Sequence, residues 1–224
     1  VKVQQAPRPV PGPEQVLVRV RAAGLNRADL GVAAGHAHGR MGGAGTILGL
    51  EFAGEVAAVG AGVVGIKPGD RVMCAGSGGY AEYAVADMGR VQPVPDRNMS
   101  WEEAATLPIA LATMHDALIS NGRLAKGEAV LILGASSGVG LMGMQIAKYM
   151  GAGMVIGTST HAERRGKLKE FGADHAVNTN DPDWADQVLA LTNGRGVEVV
   201  IDQVSGGTIN AAMRATAILG RIVN

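Results

Sequence analysis

The sequence predicts an α/β protein in two parts. A small β barrel or sandwich occupies residues 1–105, and a doubly wound parallel sheet occupies residues 106–224. Three observations predict this. Up to about residue 100 the chain reads as short alternating strands broken by turns. After residue 127, apolar strands alternate with helical stretches, the signature of βαβ units and a parallel sheet covered on both faces. Between the first strand and the first helix of that second part stands a glycine-rich loop, "GASSGVG".

In the first part, "QVLVRVRAAG" alternates apolar and charged residues, as a half-buried strand does, and "GEVAAVG" and "YAEYAVAD" repeat the pattern. "KPGD" before "RVMCAG" is a turn with Pro68 and Gly69 in turn-forming positions. "MSWEEAATLP" changes the texture: Ser100 and Glu103 have capping-box spacing, and a helical stretch follows to Ser120 with a break at Pro108. In the second part, "EAVLILGA", "MVIGTST", "HAVNT", "VEVVIDQV" and "GRIVN" read as five strands. "GLMGMQIAKYMG", "HAERRGKLKEFG", "DWADQVLALTNG" and "TINAAMRATAI" read as the helices between them.

Composition removes several function classes. Hydrophobic residues make up 47% of the 224, which argues for a packed core rather than disorder. Aromatics are only 3%, too few for base-stacking platforms. The 20 bases and 20 acids cancel, so neither nucleic acid nor an anionic membrane is an expected partner. The single Cys74 excludes an internal disulfide or a multi-cysteine zinc site and fits a reducing compartment. No apolar run reaches about 18 residues. The expectation is a soluble cytoplasmic protein.

The glycine loop carries the first chemistry. Gly134 to Gly140 follow a strand and open a helix, the context that gives such a loop meaning. Glycine lets backbone approach a pyrophosphate, and a helix N-terminus offers free N–H groups and a positive dipole end. Ser137, Gly138, Val139 and Gly140 are therefore candidate cofactor contacts in a Rossmann sheet, although Ala135 stands at the first small position of the usual pattern. The second strand should end beside the adenosine ribose, where NAD sites usually place an acid. Here the chain reads "GTSTHAERRGKLK", with Thr158, Ser159 and Thr160 at the strand end and Arg164, Arg165, Lys167 and Lys169 after them. Cations early in a helix oppose its dipole, and a 2′-phosphate would supply the missing anion, so the expected cofactor is NADP(H). A solvated helix face, partly neutralised by Glu163 and Glu170, is the plainer alternative.

"VLVRVRAAGLNRADL", "ILGLEFAGEV", "KPGDRV", "GGYAEYAVAD", "AATLPIALAT" and "LILGASSGVG" together resemble the medium-chain dehydrogenase/reductase superfamily. Within it they resemble the zinc-free NADPH:quinone oxidoreductases, and "GLNRADL" looks most like the p53-inducible branch. The resemblance implies a GroES-like catalytic domain followed by a Rossmann NADP-binding domain, and a homodimer of two such chains. It also explains a puzzle in "ILGLEFAGEV", where Glu51 sits in an apolar run. Zinc-dependent relatives read Gly-His-Glu there, with the His on zinc; this chain reads Gly49-Leu50-Glu51. A second zinc ligand, a Cys in those relatives, falls at Asn26. Zinc needs three or four N, S or O ligands, so no metal is expected. Glu51 then reads as a structural acid, paired with a base such as Arg71.

Without a Lewis acid, hydride addition to a conjugated acceptor is easier than direct alcohol oxidation. The resemblance therefore implies reduction of a quinone or an α,β-unsaturated carbonyl. Asn26 and Thr113 become expected contacts to the nicotinamide region, and Asp29 an acid that holds the Asn26 loop or caps a helix. Many relatives carry a Tyr in the loop after Asn26; this loop, "GVAAGHAHGRMGGAGT", has none, and His38 or His36 could serve as proton donor or stand merely solvated. Two further readings stand beside this one: an enoyl reductase acting on thioesters, as in polyketide synthase modules, and a nucleotide-binding protein with little turnover. The chain is also expected to be a piece of a longer one, roughly 320 to 340 residues by resemblance, because a dinucleotide fold uses six strands and "GRIVN" is the fifth.

Overall fold

The computed structural model describes residues 2–38, 42–43, 45–95 and 98–224. It divides into two compact units, Val1–Ile109 and Ala110–Asn224.

The first unit is built on five antiparallel strands: β1 (Gln15–Ala23), β2 (Glu51–Val59), β3 (Arg71–Ala75), β4 (Tyr83–Asp87) and β5 (Val91–Pro93). They lie in the order β4-β1-β2-β3-β5. Alternate residues face inward, as a period of two requires, so Val16 and Val18 of β1, Phe52 and Val56 of β2, and Val72 and Cys74 of β3 form one buried cluster. The β1–β2 ladder slips twice, between Leu17 and Val18 and between Val20 and Ala22. Such bulges increase local twist and curl a sheet. The curled sheet is a half-barrel, with β4 and β5 at its two ends. The helix α1 (Arg27–Ala33), which composition did not announce, follows β1 directly. α2 (Trp101–Ala105) starts with the expected capping box: Glu103 N–H donates to Ser100 Oγ at 3.1 Å, and Ser100 N–H donates to the Glu103 carboxylate at 2.9 Å. Pro108 opens α3 (Pro108–His115), where proline's missing N–H costs nothing.

The second unit holds five parallel strands: β6 (Ala129–Leu133), β7 (Met154–Thr158), β8 (His175–Val177), β9 (Val197–Asp202) and β10 (Thr216–Val223). Their order is β10-β9-β6-β7-β8. Between them run α4 (Gly138–Tyr149), α5 (Ala162–Lys167), α6 (Trp184–Leu191) and α7 (Ile209–Ala215). Both faces are covered, and β6 shows it. Val130 and Ile132 point into a core with Met114, Met144 and Leu168. Leu131 and Leu133 point into the opposite core with Ile156, Val188 and Ala212.

Three elements differ from expectation. The helix expected to continue to Ser120 changes at Asp116 to a π-helical turn, Asp116–Asn121, closed by Gly122 N–H donating to Ala117 O at 2.8 Å. The α5 helix gives way to a 3-10 turn, Leu168–Phe171, stopped by Gly172 at φ 98°. The helix read in "TINAAMRATAI" ends at Ala215, because Thr216 already pairs with Val197 of β9; the ladder then slips between Thr216 and Arg221.

Candidate active site

In the second unit the site begins where β6 ends. Ala135 N–H donates to Thr158 O at 2.9 Å, and Gly134 N–H donates to Thr158 Oγ1 at 3.1 Å. These bonds tie the loop to β7. Ser137 caps α4, its Oγ accepting from Gly140 N–H at 3.0 Å. The two later glycines then have different work. A Cβ at Gly140 would lie 2.6 Å from Ala135 Cα, so this glycine lets the helix pack onto the loop. A Cβ at Gly138 would meet nothing within 4 Å. Open space over Gly138, next to the unsatisfied N–H groups of a first helical turn, is a cradle for an anion. Val139 turns its side chain to the core and leaves its backbone at the cradle.

At the end of β7, Ser159 Oγ donates to Ser136 Oγ at 3.0 Å, and Arg165 Nη1 donates to Ser159 O at 2.9 Å. Thr158 is buried with its hydroxyl already engaged, so it supports the loop rather than facing a ligand. Thr160 and Arg164 are exposed. At the end of β9, on the other side of β6, Asp202 is buried; Oδ1 accepts from Val204 N–H at 2.9 Å and Ser205 N–H at 2.8 Å. Its Oδ2 is buried with no hydrogen-bond partner among the described residues. Gln203 Nε2 donates to Leu133 O at 3.2 Å, and Ser137 Oγ donates to Gln203 Oε1 at 3.4 Å. The open cradle and the orphaned carboxylate oxygen, on strands that flank the switch in strand order, fit a dinucleotide.

In the first unit, a hydrogen-bonded cluster gathers around Asn26. Asp29 Oδ2 accepts from Asn26 N–H at 2.9 Å and from the Tyr80 hydroxyl at 2.8 Å, and its Oδ1 accepts from Gly49 N–H at 3.2 Å. Asp29 therefore caps α1 and holds the Asn26 loop at once. Glu51 is buried too. Its Oε1 accepts from Asn26 Nδ2 at 2.8 Å and its Oε2 from Ile109 N–H at 2.9 Å. The expected Glu51–Arg71 pair is not formed. In the β2–β3 register Arg71 faces Glu55 and Glu51 faces Ala75, at the far end of the ladder. Arg71 instead donates to Met99 O at 2.6 Å and stacks on Trp101. Burial pushes the Glu51 carboxyl above the ordinary carboxylate range, the Ile109 and Asn26 bonds pull it back, and the Asp29 charge raises it further. The Tyr80 hydroxyl is pushed up to about 12, by burial first and then by its bond to Asp29. Tyr80 as a residue is 41% exposed, but its hydroxyl turns to the buried carboxylate.

Of the expected site residues, the structure joins Asn26 to Asp29 and Glu51 in the first unit; in the second, Ser137 bonds Gly140, while Thr158 and Ser159 bond the loop at Gly134, Ala135 and Ser136. His36 and His38 are exposed, as is Thr113 on α3. Among the described residues, no group of three His, Cys, Asp or Glu side chains is placed to hold a metal ion. Tyr80 joins the cluster of the first unit, and Asp202 and Gln203 join the loop of the second, without having been singled out. For Tyr80 the available signal was its place in "GGYAEYAVAD".

Two family models match the chain: an alcohol dehydrogenase GroES-like domain over residues 12–96 and a zinc-binding dehydrogenase over residues 138–224. The reducing polyketide synthase FUB1 of Gibberella fujikuroi is 36% identical across 100% of this chain; this chain spans 9% of that protein. Among solved structures, an NAD-dependent alcohol dehydrogenase has a TM-score of 0.88 at 34% identity, covering 98% of this chain and 71% of its own. A quinone oxidoreductase of Pseudomonas syringae pv. Tomato DC3000 has 0.87 at 33%, covering 98% and 67%. The CurK enoyl reductase has 0.87 at 30%, covering 98% and 68%. A mycobacterial relative solved with NADPH has 0.86 at 33%, covering 98% and 67%. The chain belongs to the medium-chain dehydrogenase/reductase superfamily, and its two units are that superfamily's GroES-like domain and Rossmann-like sheet.

Proposed function

We propose that the chain is a zinc-independent oxidoreductase that moves hydride from NADPH to a quinone or an α,β-unsaturated carbonyl. The observation that carries this is the bonding of Asn26. Its amide nitrogen is committed to Glu51, while Leu50 stands where a zinc-dependent enzyme needs an imidazole. The residues at these positions build a hydrogen-bonded cluster, not a ligand set. NADPH, once bound, supplies the hydride. The chain's own residues hold the cofactor and fix the surroundings: Ser137 to Gly140 cradle phosphate, Ser159, Thr160 and Arg164 face the adenosine ribose, and Asp29 with Glu51 lock Asn26 in one orientation. The conjugated acceptor spreads the incoming charge over its own oxygen, so the protein mainly positions the reactants. His38 and His36 are exposed enough to pass a proton from water to that oxygen. The mycobacterial relative solved with NADPH supports this choice of cofactor. The homodimer and the cytoplasmic setting expected from sequence belong to the same reading.

The polyketide synthase relative and the enoyl reductase neighbour favour a second reading, reduction of an enoyl thioester. Both readings share cofactor, hydride and conjugated acceptor. They part at the acceptor. Measuring NADPH oxidation with a panel of quinones and with crotonyl thioesters separates them. Faster turnover of a quinone is the expected result; turnover of crotonyl thioester alone would make the enoyl reading the correct one. Tight NADPH binding without turnover of either class would leave a nucleotide-binding protein.

A further inference from the structure

Asp202 has one carboxylate oxygen with two N–H donors and another with none. It is 3% exposed, and Oδ2 is fully enclosed. A buried acceptor oxygen left without a donor is unfavourable, and such groups in folded proteins call for a partner. The surroundings say what. In the strand register Asp202 lies beside Leu133, one residue before the glycine loop. The loop follows β6, and β7 and β9 flank β6 on either side. A dinucleotide with its pyrophosphate on the N-terminus of α4 has two arms. One arm would lie over the end of β7, where Ser159 stands, and the other over the end of β9, where Asp202 stands. Each arm carries a ribose, and a ribose hydroxyl is the donor that an unpaired carboxylate oxygen lacks.

We propose that Asp202 is a binding residue for the nicotinamide-bearing half of the dinucleotide, its Oδ2 accepting a hydrogen bond from a hydroxyl of that ribose. This rests on the dinucleotide reading above. The turn after Asp202 is the part that would move to admit the hydroxyl. Ser205 has φ 59° and ψ −169°, backbone that glycine alone adopts easily. It is held by its N–H to Asp202 Oδ1 and by Asn224 Nδ2, which donates to Ser205 Oγ and to Asp202 O.

The test is equilibrium binding, not turnover. Asp202→Asn keeps an oxygen for the Val204 and Ser205 N–H groups and puts a donor where Oδ2 stood. It should weaken NADPH about tenfold, the scale of a hydrogen bond to a charged group. Adenosine 2′,5′-bisphosphate, which lacks the nicotinamide arm, should bind the variant within about twofold of the unmodified chain. A measurement without any variant reads the same contact. NADPH analogues lacking the 2′- or the 3′-hydroxyl on the nicotinamide ribose should include one that binds the unmodified chain about tenfold more weakly. Unchanged NADPH affinity in Asp202→Asn, equal affinity for both analogues, or a parallel loss of NADPH and adenosine 2′,5′-bisphosphate would each overturn the inference. Failure of the unmodified chain to bind adenosine 2′,5′-bisphosphate would instead overturn the dinucleotide reading, and this inference with it.

Discussion

Arg164 and Arg165 are neighbours in sequence with different surroundings. Consecutive helical residues point about 100° apart, so only Arg165 reaches back to Ser159 O, while Arg164 stays exposed. The basic cluster was legible in the sequence; which arginine does what was not. Two outcomes follow. Arg164→Glu should weaken NADPH by about 1–3 kcal/mol and spare NADH, because its head is available to a 2′-phosphate. Arg165→Glu should weaken both dinucleotides, because it also unties the strand end. Titrating both variants with both cofactors checks this, and equal losses of NADPH and NADH in Arg164→Glu would remove that residue from the phosphate. Glu51 shows the same limit of sequence reading. A charged base looked like its natural partner, but its donors are an amide 25 residues away and a backbone N–H 58 residues away. The β1–β2 ladder, with Ala23 opposite Phe52, brings Asn26 beside Glu51, and the start of α3 brings Ile109. Tyr80, 51 residues from Asp29, was hidden for the same reason.

At the scale of elements, periodicity and capping located most strands and helices. It failed where long-range pairing decides: at Thr216, which leaves a helical pattern to pair with Val197, and in the π-helical turn. The glycine loop offers a prediction that separates fold from function. Gly138→Ala should leave stability within about 0.5 kcal/mol, since a Cβ there meets open space, yet weaken NADPH by filling the cradle. Gly140→Ala should destabilise by about 1–3 kcal/mol, because its Cβ would collide with Ala135 backbone. Chemical denaturation and cofactor titration of both variants check the pair; a stable Gly140→Ala would contradict the packing. β10 is tied back by Arg221. It donates twice to the Glu128 carboxylate, at 2.9 and 2.6 Å, and to Gly122 O and Arg123 O. Both partners are 22% exposed. Arg221→Ala should therefore cost about 2 kcal/mol. The pH dependence follows from the sign of the shift. The bond to Arg221 holds the Glu128 carboxyl below its ordinary 4.5, so this stabilisation is present above that pH and is lost as pH falls through the lowered value. Stability against urea, followed from pH 6 down to pH 3, should fall less steeply for Arg221→Ala than for the unmodified chain.

For the molecule as a whole, the two units and their superfamily were legible because each has its own sequence signature: alternating strands in one, and a glycine loop inside a βαβ unit in the other. The acceptor was not legible, because the loop after Asn26 is glycine-rich and carries no aromatic to shape a pocket. The proposed chemistry is hydride transfer from NADPH without a metal. Leu50, and an Asn26 amide committed to Glu51, are its structural basis. The most direct measurement follows NADPH oxidation by a quinone before and after exhaustive treatment with a chelator, with the zinc content of the same sample determined by elemental analysis. The prediction is unchanged turnover at far less than one zinc per chain. Stoichiometric zinc, with turnover lost on its removal and restored on its return, would contradict it.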